Sequence, residues 1–398
     1  MHDVFIIDAL RTPFGRYKGS LSSVRPDDLA AHVVRALAAR YPELVNIVDH
    51  VVFGASNQAG EDNRNVARMA SLLAGISFEV PSVTVNRLCG SGLEAVCDAT
   101  RRIATGEADV VIAGGVESMS RAPFVFGKTE EAFSRQPPRV FDTTLGWRFE
   151  NSQLANRFPL FSMGETAEEV ATKWNISRED QDAFAVESHK RAISAIENGA
   201  FGREITPVEL AGKNADKVLF AKDESPRADS TLAALSALKP VFRKNGTVTA
   251  GNSSSINDGA ASVLLASAKT VSEMKLTPLA RVVAQAAVGV HPNTMGEGPI
   301  PATQKALFRA GWKVHDLDLI ELNEAFAAQA LACMRGLELD PGKVNVNGGA
   351  IALGHPIGAS GARILGTLVH SMVARGGRRG LATLCVGVGQ GISLLVER

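Results

Sequence analysis

Short runs rich in valine and isoleucine alternate with stretches rich in alanine and leucine, and the chain carries that alternation twice. Residues 4–7, 48–53, 82–85 and 110–113 read as buried strands, with helices expected over 29–39, 66–73 and 93–103. The same texture returns near the C-terminus, with strands expected at 280–284, 317–321, 343–346 and 381–384 and helices at 302–309, 325–335 and 360–374. Such alternation predicts α/β layering about a mostly parallel sheet. The two stretches also match in detail. Val83-Thr84-Val85-Asn86 leads into a glycine-rich turn and a helix, as does Val344-Asn345-Val346-Asn347. Each is followed by an apolar strand that runs into glycines, at Gly114-Gly115 and at Gly387 to Gly391. Two such pairs in the same order imply a duplicated half. Between them, residues 121–244 turn polar and proline-containing, with amphipathic helices such as 178–198, as expected of an inserted loop or cap domain. The expected organisation is therefore an N-terminal half over 1–120, completed by about 245–272, the insertion at 121–244, and a C-terminal half over 273–398.

Composition narrows the function classes. The 398 residues suffice for two or three structural units and a large core. Its 42 basic and 42 acidic side chains cancel, so no overall field draws it to nucleic acid or an anionic membrane. Four cysteines without a CxxC pair argue against a disulfide framework or a structural zinc. No apolar run reaches the roughly 18 residues of a membrane span. The opening MHDVFIIDALRTPFG reads as a strand and a turn rather than a secretion signal, so a reducing cytoplasm is the expected setting.

Four segments carry residues suited to chemistry. Cys89 stands in VNRLCGSG, after a strand and at the expected first turn of a helix, where unpaired N–H groups and a partial positive charge favour a thiolate. Its flanking glycines would permit a sharp turn and let a substrate approach the sulfur closely; a small buried core cysteine is the bland reading of the same residue. His355 lies among five glycines in NGGAIALGHPIGASG, and imidazole is the group best suited to take a thiol proton near neutral pH. Cys385 opens CVGVGQG, where a thiol of suitable pKa could give or remove a proton beside a thioester, and the amide of Gly387 could steady an oxyanion. Asn323 in NEAFA could orient a water or a carbonyl, or simply cap a helix. The glycines from 387 to 391 lack dinucleotide spacing, Ala122 spoils a phosphate loop before Lys128, and His189, His291 and His315 are scattered. Nothing in the chain points to NAD, ATP or a metal.

Taken in order along the chain, VNRLCGSG, GGVESMSRAP, TVTAGNSSSINDGAA, GEGPIPA, ELNEAFAAQ, NVNGGAIALGHPIGASGAR and CVGVGQG resemble the thiolase family from end to end. The resemblance implies a thiolase fold: two similar βαβαβαββ halves in α-β-α-β-α layers, with a loop domain over the active site. It implies that Cys89 is the nucleophile that accepts an acyl group, His355 the base that activates it, and Cys385 the acid/base acting on the acetyl-CoA enolate. Asn323 would hold a water that forms one oxyanion site with His355, and the N–H groups of Cys89 and Gly387 would form another. No permanently bound cofactor is implied. Coenzyme A enters as co-substrate, with Ser254, Ala250, Met295, Phe326 and Arg227 matching its contacts, and family members are usually dimers or tetramers.

The segments GASNQAGEDNRNVARMA, VESMSRAPFVFGK, DTTLGWRF and GLATLCVGVGQG most resemble bacterial β-ketoadipyl-CoA thiolases of aromatic-compound degradation. A short-chain acetyl-CoA acetyltransferase would share every catalytic residue and is the nearest competing reading. Three positions depart from common family patterns: Ser162 where many short-chain thiolases carry histidine, Val388 where glycine is commonest, and Gly90 where the subfamily often has alanine. A substrate with a terminal carboxylate calls for a cation near the acyl pocket, and Arg64, Arg68 or Arg148 is expected to supply it.

Overall fold

The computed structural model describes residues 2–129, 131–212 and 216–398. The first half runs through β1 (Val4–Arg11), β2 (Gly15–Arg16), α1 (Pro26–Arg40), α2 (Pro42–Val45), β3 (His50–Gly54), α3 (Val66–Leu73), β4 (Ser82–Val85), α4 (Ser91–Ala104) and β5 (Val110–Ser118). A long excursion follows through β6 (Phe124–Phe126), β7 (Val140–Asp142), α5 (Ser152–Ala155), α6 (Met163–Lys173), α7 (Arg178–Glu197), β8 (Val208–Ala211), β9 (Lys217–Phe220) and α8 (Leu232–Ser236). The chain then returns as β10 (Asn257–Ser267) and α9 (Ala268–Glu273). The second half consists of β11 (Ala280–Gly289), α10 (Pro299–Ala310), β12 (Leu319–Leu322), α11 (Ala327–Leu337), α12 (Ala350–Leu353), α13 (Ile357–Arg375), β13 (Arg379–Val386) and β14 (Gln390–Glu397).

Ten strands are hydrogen-bonded in the order β12-β13-β14-β11-β1-β10-β5-β3-β4, with β2 paired onto β10. The duplication is visible in this order. The sequence β4-β3-β5-β10-β1 on one side mirrors β12-β13-β14-β11 on the other, where the chain near Val344 adds one parallel bridge to Ile320 in the place of β4. The two halves meet through a short antiparallel pairing of Phe5 with Arg281 and Ile6 with Ala280.

Two expectations from the sequence need correction. The sheet is not mostly parallel: among the described residues only β12–β13, β3–β4 and β3–β5 are parallel pairs. The closing strand of each half enters its middle antiparallel. For β13 and β14 the cause is local, since a loop as short as Gly387-Val388-Gly389 can join only antiparallel neighbours. The segment 343–346 is also no strand; it makes a single bridge at Val344 before turning away towards the site.

Strands β5 and β10 are buried at every position, because helices cover both of their faces. Helices α1 and α3 close the outside of the first half over Leu29, Val33, Leu37, Val66 and Ala70. On the outside of the second half, α10 and α11 pack over Ala306, Leu307, Ala330 and Met334. Between the halves lie α4 and α13, whose Leu93, Val96, Leu365 and Val369 share one core with strands of both. The turns that carry Cys89 and His355 lead into these two helices. No helix among the described residues is long and apolar enough to cross a membrane.

Candidate active site at the middle helix layer

Helix α4 is preceded by one 3-10 turn, Leu88–Gly90, with Cys89 at its centre. Leu88 takes φ +47°, a left-handed conformation rarely adopted by a branched side chain. Local hydrogen bonds hold it there: Leu88 N–H donates to Asn86 Oδ1 at 2.9 Å, and Ser91 Oγ donates to Leu88 O at 2.7 Å. The turn packs against the start of α13 and against β13. Cys89 is half-buried and packs against the central core.

The flanking glycines do something other than admit a substrate. A Cβ on Gly90 would come within 2.9 Å of Val386 Cγ2 and 3.0 Å of Ile392 Cγ2. One on Gly92 would sit 2.7 Å from Gly358 O and 2.8 Å from Ala362 N, and one on Gly361 would overlap the backbone of Leu93. Gly90 thus lets the turn settle onto β13 and β14, while Gly92 and Gly361 let α4 and α13 cross backbone to backbone, which brings the turn of Cys89 to the turn of His355.

His355 precedes α13, with its N–H donating to Asn257 Oδ1 at 3.0 Å. Ser360 Oγ donates its one hydrogen to Pro356 O at 2.9 Å, so it accepts from His355 Nδ1, 2.6 Å away. This network assigns the proton to Nδ1 and leaves a lone pair on Nε2. Asn323 Nδ2 lies 3.4 Å from that Nε2, and Asn323 Oδ1, though buried, has no hydrogen-bond partner among the described residues. Asn323 follows β12 and is tied to β13 by its N–H on Thr383 O at 3.0 Å, two residues before Cys385. The adjoining Glu324 accepts from Ser188 Oγ, Asn345 Nδ2 and the N–H of Ile351, which anchors the loop that leads to His355. Cys385 is fully buried at the end of β13, close enough to Cys89 to feel its charge. Two residues on, the N–H of Gly387 lies near the Cys89 sulfur and favours its charged form.

Burial is the largest influence on all three reactive groups. It pushes the Cys89 thiol above its ordinary range, only partly offset by the N–H groups of Gly387 and Cys89 itself. The Cys385 thiol is pushed up further, by burial and then by the neighbouring Cys89. Burial, with the Arg363 cation adding to it, lowers His355 to about 3. The expectation of a resting thiolate at a helix start is therefore corrected. Cys89 lies in the turn ahead of α4 rather than at its free N–H groups, and the two amides that reach it do not outweigh desolvation. At rest both groups are neutral, a thiol on the turn before α4 and an imidazole on the turn before α13, and a thiol must give up its proton before its sulfur can act as a nucleophile.

A cavity of about 210 Å³ opens over Cys89, lined by Leu88, Glu117, Met119, Trp147, Arg148, Phe161 and Met163 among others, with Gly387 and Val388 at its edge. Val388 sits at φ +62° and Gly389 at φ +84°, so a β-branched residue occupies a left-handed turn position. On the other side of Met163, Met295 and Phe326 pack with Cys385 in one apolar cluster. Ser254 joins them through its N–H on Ala325 O at 3.0 Å, while Ala250 is exposed four residues earlier. Arg227 is exposed, its N–H held by His189 Nδ1 at 3.1 Å, two residues from a Ser225 that touches Ser255.

Of the three arginines expected to meet a carboxylate, only Arg148 lines the cavity. Arg68 is spent on the carbonyls of Val80 and Phe78, both at 2.7 Å, and Arg64 is exposed outside the lining. Sequence reasoning passed over Glu117, Ser360 and Asn257. Each lies inside a segment that carries the resemblance, yet no local spacing says which partner its side chain meets.

Comparison with known proteins agrees with this arrangement along the whole chain. Residues 4–269 match the thiolase N-terminal domain and residues 276–398 the thiolase C-terminal domain. A 3-oxoadipyl-CoA/3-oxo-5,6-dehydrosuberyl-CoA thiolase of Escherichia coli K12 is 55% identical over 401 residues, covering 100% of both chains. A β-ketoadipyl-CoA thiolase of Pseudomonas aeruginosa is 55% identical over 399 residues, covering 100% of this chain and 99% of that one. The crystal structure of the Bacillus anthracis acetyl-CoA acetyltransferase superposes with a TM-score of 0.94 at 42% identity, covering 100% of this chain and 99% of that one. Two like halves meeting at paired thiols, matched domain by domain to one family over the full length, make this chain a member of the thiolase family, an acyltransferase.

Proposed function

We propose that this thiolase cleaves β-ketoadipyl-CoA with coenzyme A into succinyl-CoA and acetyl-CoA, through an acyl group carried on Cys89. The observation that carries the reading is Arg148. It is the single cation lining the cavity over Cys89, and it has no hydrogen-bond or ion-pair partner among the described residues. An unpaired guanidinium in a largely apolar pocket fits a carboxylate at the far end of an acyl chain. The full-length relatives named for 3-oxoadipyl-CoA and β-ketoadipyl-CoA support the same substrate.

In the first half-reaction, His355 Nε2 takes the Cys89 proton and the sulfur bonds to C3 of the ketoacyl chain. The C2–C3 bond then breaks, its electrons form the acetyl-CoA enolate, and Cys385 protonates C2. In the second, the thiol of CoA gives its proton to Cys385 and attacks the acyl carbonyl. The Cys89 sulfur leaves and recovers its proton from His355. A water held by Asn323 and His355 would steady the first oxyanion, and the N–H groups of Cys89 and Gly387 the second. Two cysteines of raised pKa suit these roles, because each must hold its proton until substrate arrives. Met295 and Phe326 pack with Cys385, and Ser254 is tied to Ala325 of the same cluster; the pantetheine arm of CoA would lie along them, with Ala250 and Arg227 further out. Four free cysteines fit a cytoplasmic setting. Strand β4 ends the sheet beside exposed Met69, Leu72, Leu73 and Phe78, which fits a homodimer or homotetramer.

Mass spectrometry after brief exposure to β-ketoadipyl-CoA without free CoA tests the chemistry; a succinyl adduct on Cys89 is expected, and an adduct elsewhere overturns it. Arg148→Met tests the substrate. Losing one charged hydrogen bond of about 1.5–3 kcal/mol should cut kcat/KM for β-ketoadipyl-CoA roughly tenfold to 150-fold. Turnover of acetoacetyl-CoA should stay within about twofold. The second reading, a short-chain acetyl-CoA acetyltransferase like the solved Bacillus anthracis protein, predicts no change in that ratio.

A further inference from the structure

Glu117, at the end of β5, is 2% exposed, lines the cavity and has no part in the proton transfers above. Its Oε1 accepts from the N–H of Asn57 at 3.0 Å. Its Oε2 accepts from the N–H and hydroxyl of Ser56, at 3.1 and 2.5 Å, and from the N–H of Gly358 at 2.8 Å. Two arms leave this one carboxylate. Gly358 stands in the first turn of α13, three residues after His355. Ser56 O accepts from Asn86 Nδ2 at 3.0 Å, and Asn86 Oδ1 in turn accepts from the N–H of Leu88, the residue before Cys89. The strained Leu88 and the base-bearing turn are thus held to a common point that belongs to neither.

We propose that Glu117 is a positioning residue: its ionised carboxylate clamps the turn of Cys89 to the turn of His355 and so sets the geometry of the proton transfer between them. A carboxylate offers lone pairs to all four donors. Protonation withdraws one of them, and an amide at the same place would turn an N–H donor towards N–H donors. Burial pushes Glu117 up to about 7, against the pull of Ser56 and Asn57, so the clamp loosens within the working range as pH falls. The titratable and charged groups that face it are Asp62 from the loop after β3, itself pushed up to about 6 by burial, and Cys89 from the turn before α4. Arg148 shares the cavity wall, and on the α13 side His355, three residues before Gly358, is lowered to about 3 and cannot produce a limb near neutrality.

The inference rests on Cys89 and His355 being nucleophile and base, and intact-protein mass tests that separately by whether an acyl adduct forms on Cys89. Glu117→Gln should lower kcat about tenfold to a hundredfold with KM within about twofold, the penalty of a slightly misplaced reacting pair. It should also abolish the acid limb near pH 7 that the native enzyme shows in kcat, whereas Asp62→Asn should keep that limb. If Glu117→Gln does not fold, Asn86→Ala severs one arm on an exposed residue and should lower kcat in the same way while keeping the limb. A lowered melting temperature with native kcat and a native pH profile per folded enzyme would make Glu117 merely structural. So would native kcat in Asn86→Ala.

Discussion

Gly358→Ala sets two opposing effects against each other at one atom. Alanine favours a helix interior by up to about 1 kcal/mol over glycine, so propensity alone predicts a more stable α13. Space predicts the reverse. The added Cβ would lie 2.9 Å from Ala55 Cα and 2.9 Å from Glu117 Oε2, and would overlap the carbonyl oxygen of Val116. Ordinary carbon contacts begin near 3.5 Å, so the helix start must retreat by about half an ångström or more. The obstructing atoms are backbone and a fourfold hydrogen-bonded carboxylate, none of which can swing aside. Overpacking of this kind costs about 1–3 kcal/mol, which outweighs the propensity gain. Because His355 lies three residues upstream in the same rigid turn, it must move too, and a misplacement of about 1 Å costs roughly a hundredfold in rate. The expected result is a melting temperature lowered by a few degrees together with kcat for thiolysis lowered by one to two orders of magnitude, KM nearly unchanged. A raised melting temperature with kcat within about threefold of native would refute the reasoning, because it would mean that the crossing of α13 with β5 yields without cost.

Two further outcomes follow from the same site. With His355 held at about 3, its imidazole is neutral across pH 5–8, so His355→Gln should slow iodoacetamide alkylation of Cys89 at pH 7 by about tenfold or more. The rate should recover only as pH rises through the raised thiol range, and equal rates in both proteins would refute the base assignment. Val388→Gly removes a β-branched residue from φ +62°, which relieves about 1–2 kcal/mol and gives back about 0.5–1 in glycine entropy. Thermal unfolding should show a modest rise, and a fall would show that packing of the Val388 side chain outweighs its strain.

Local pattern made much of the architecture legible. The helices over 66–73 and the strand over 82–85 coincide with α3 and β4, and most other elements differ from expectation only at their ends. Tight turns and hydrophobic periodicity are short-range properties, so they survive in one dimension. Strand direction does not. Residues 379–386 read the same whether their neighbour is parallel or antiparallel, and the three-residue loop before β14 decides it only once both strands are recognised. Val344 shows the same limit from the other side: a strand-like run makes one bridge, because the chain leaves the sheet to reach His355.

The candidate site divides in the same way. Cys89, His355, Cys385 and Asn323 could be singled out from residue type and setting. The glycines around them could be noticed too, but their use could not be read, since close approach to a substrate and close approach of α4 to α13 ask for the same missing Cβ. Sequence by itself determined which groups are available and that two like halves carry them, because side-chain chemistry and helical or strand periodicity are written residue by residue. Only the tertiary structure decided that the thiols stay protonated, that the imidazole proton sits on Nδ1 beside Ser360, and that Glu117 holds both turns. Those outcomes depend on burial and on partners far apart along the chain, and neither exists until the halves close on each other.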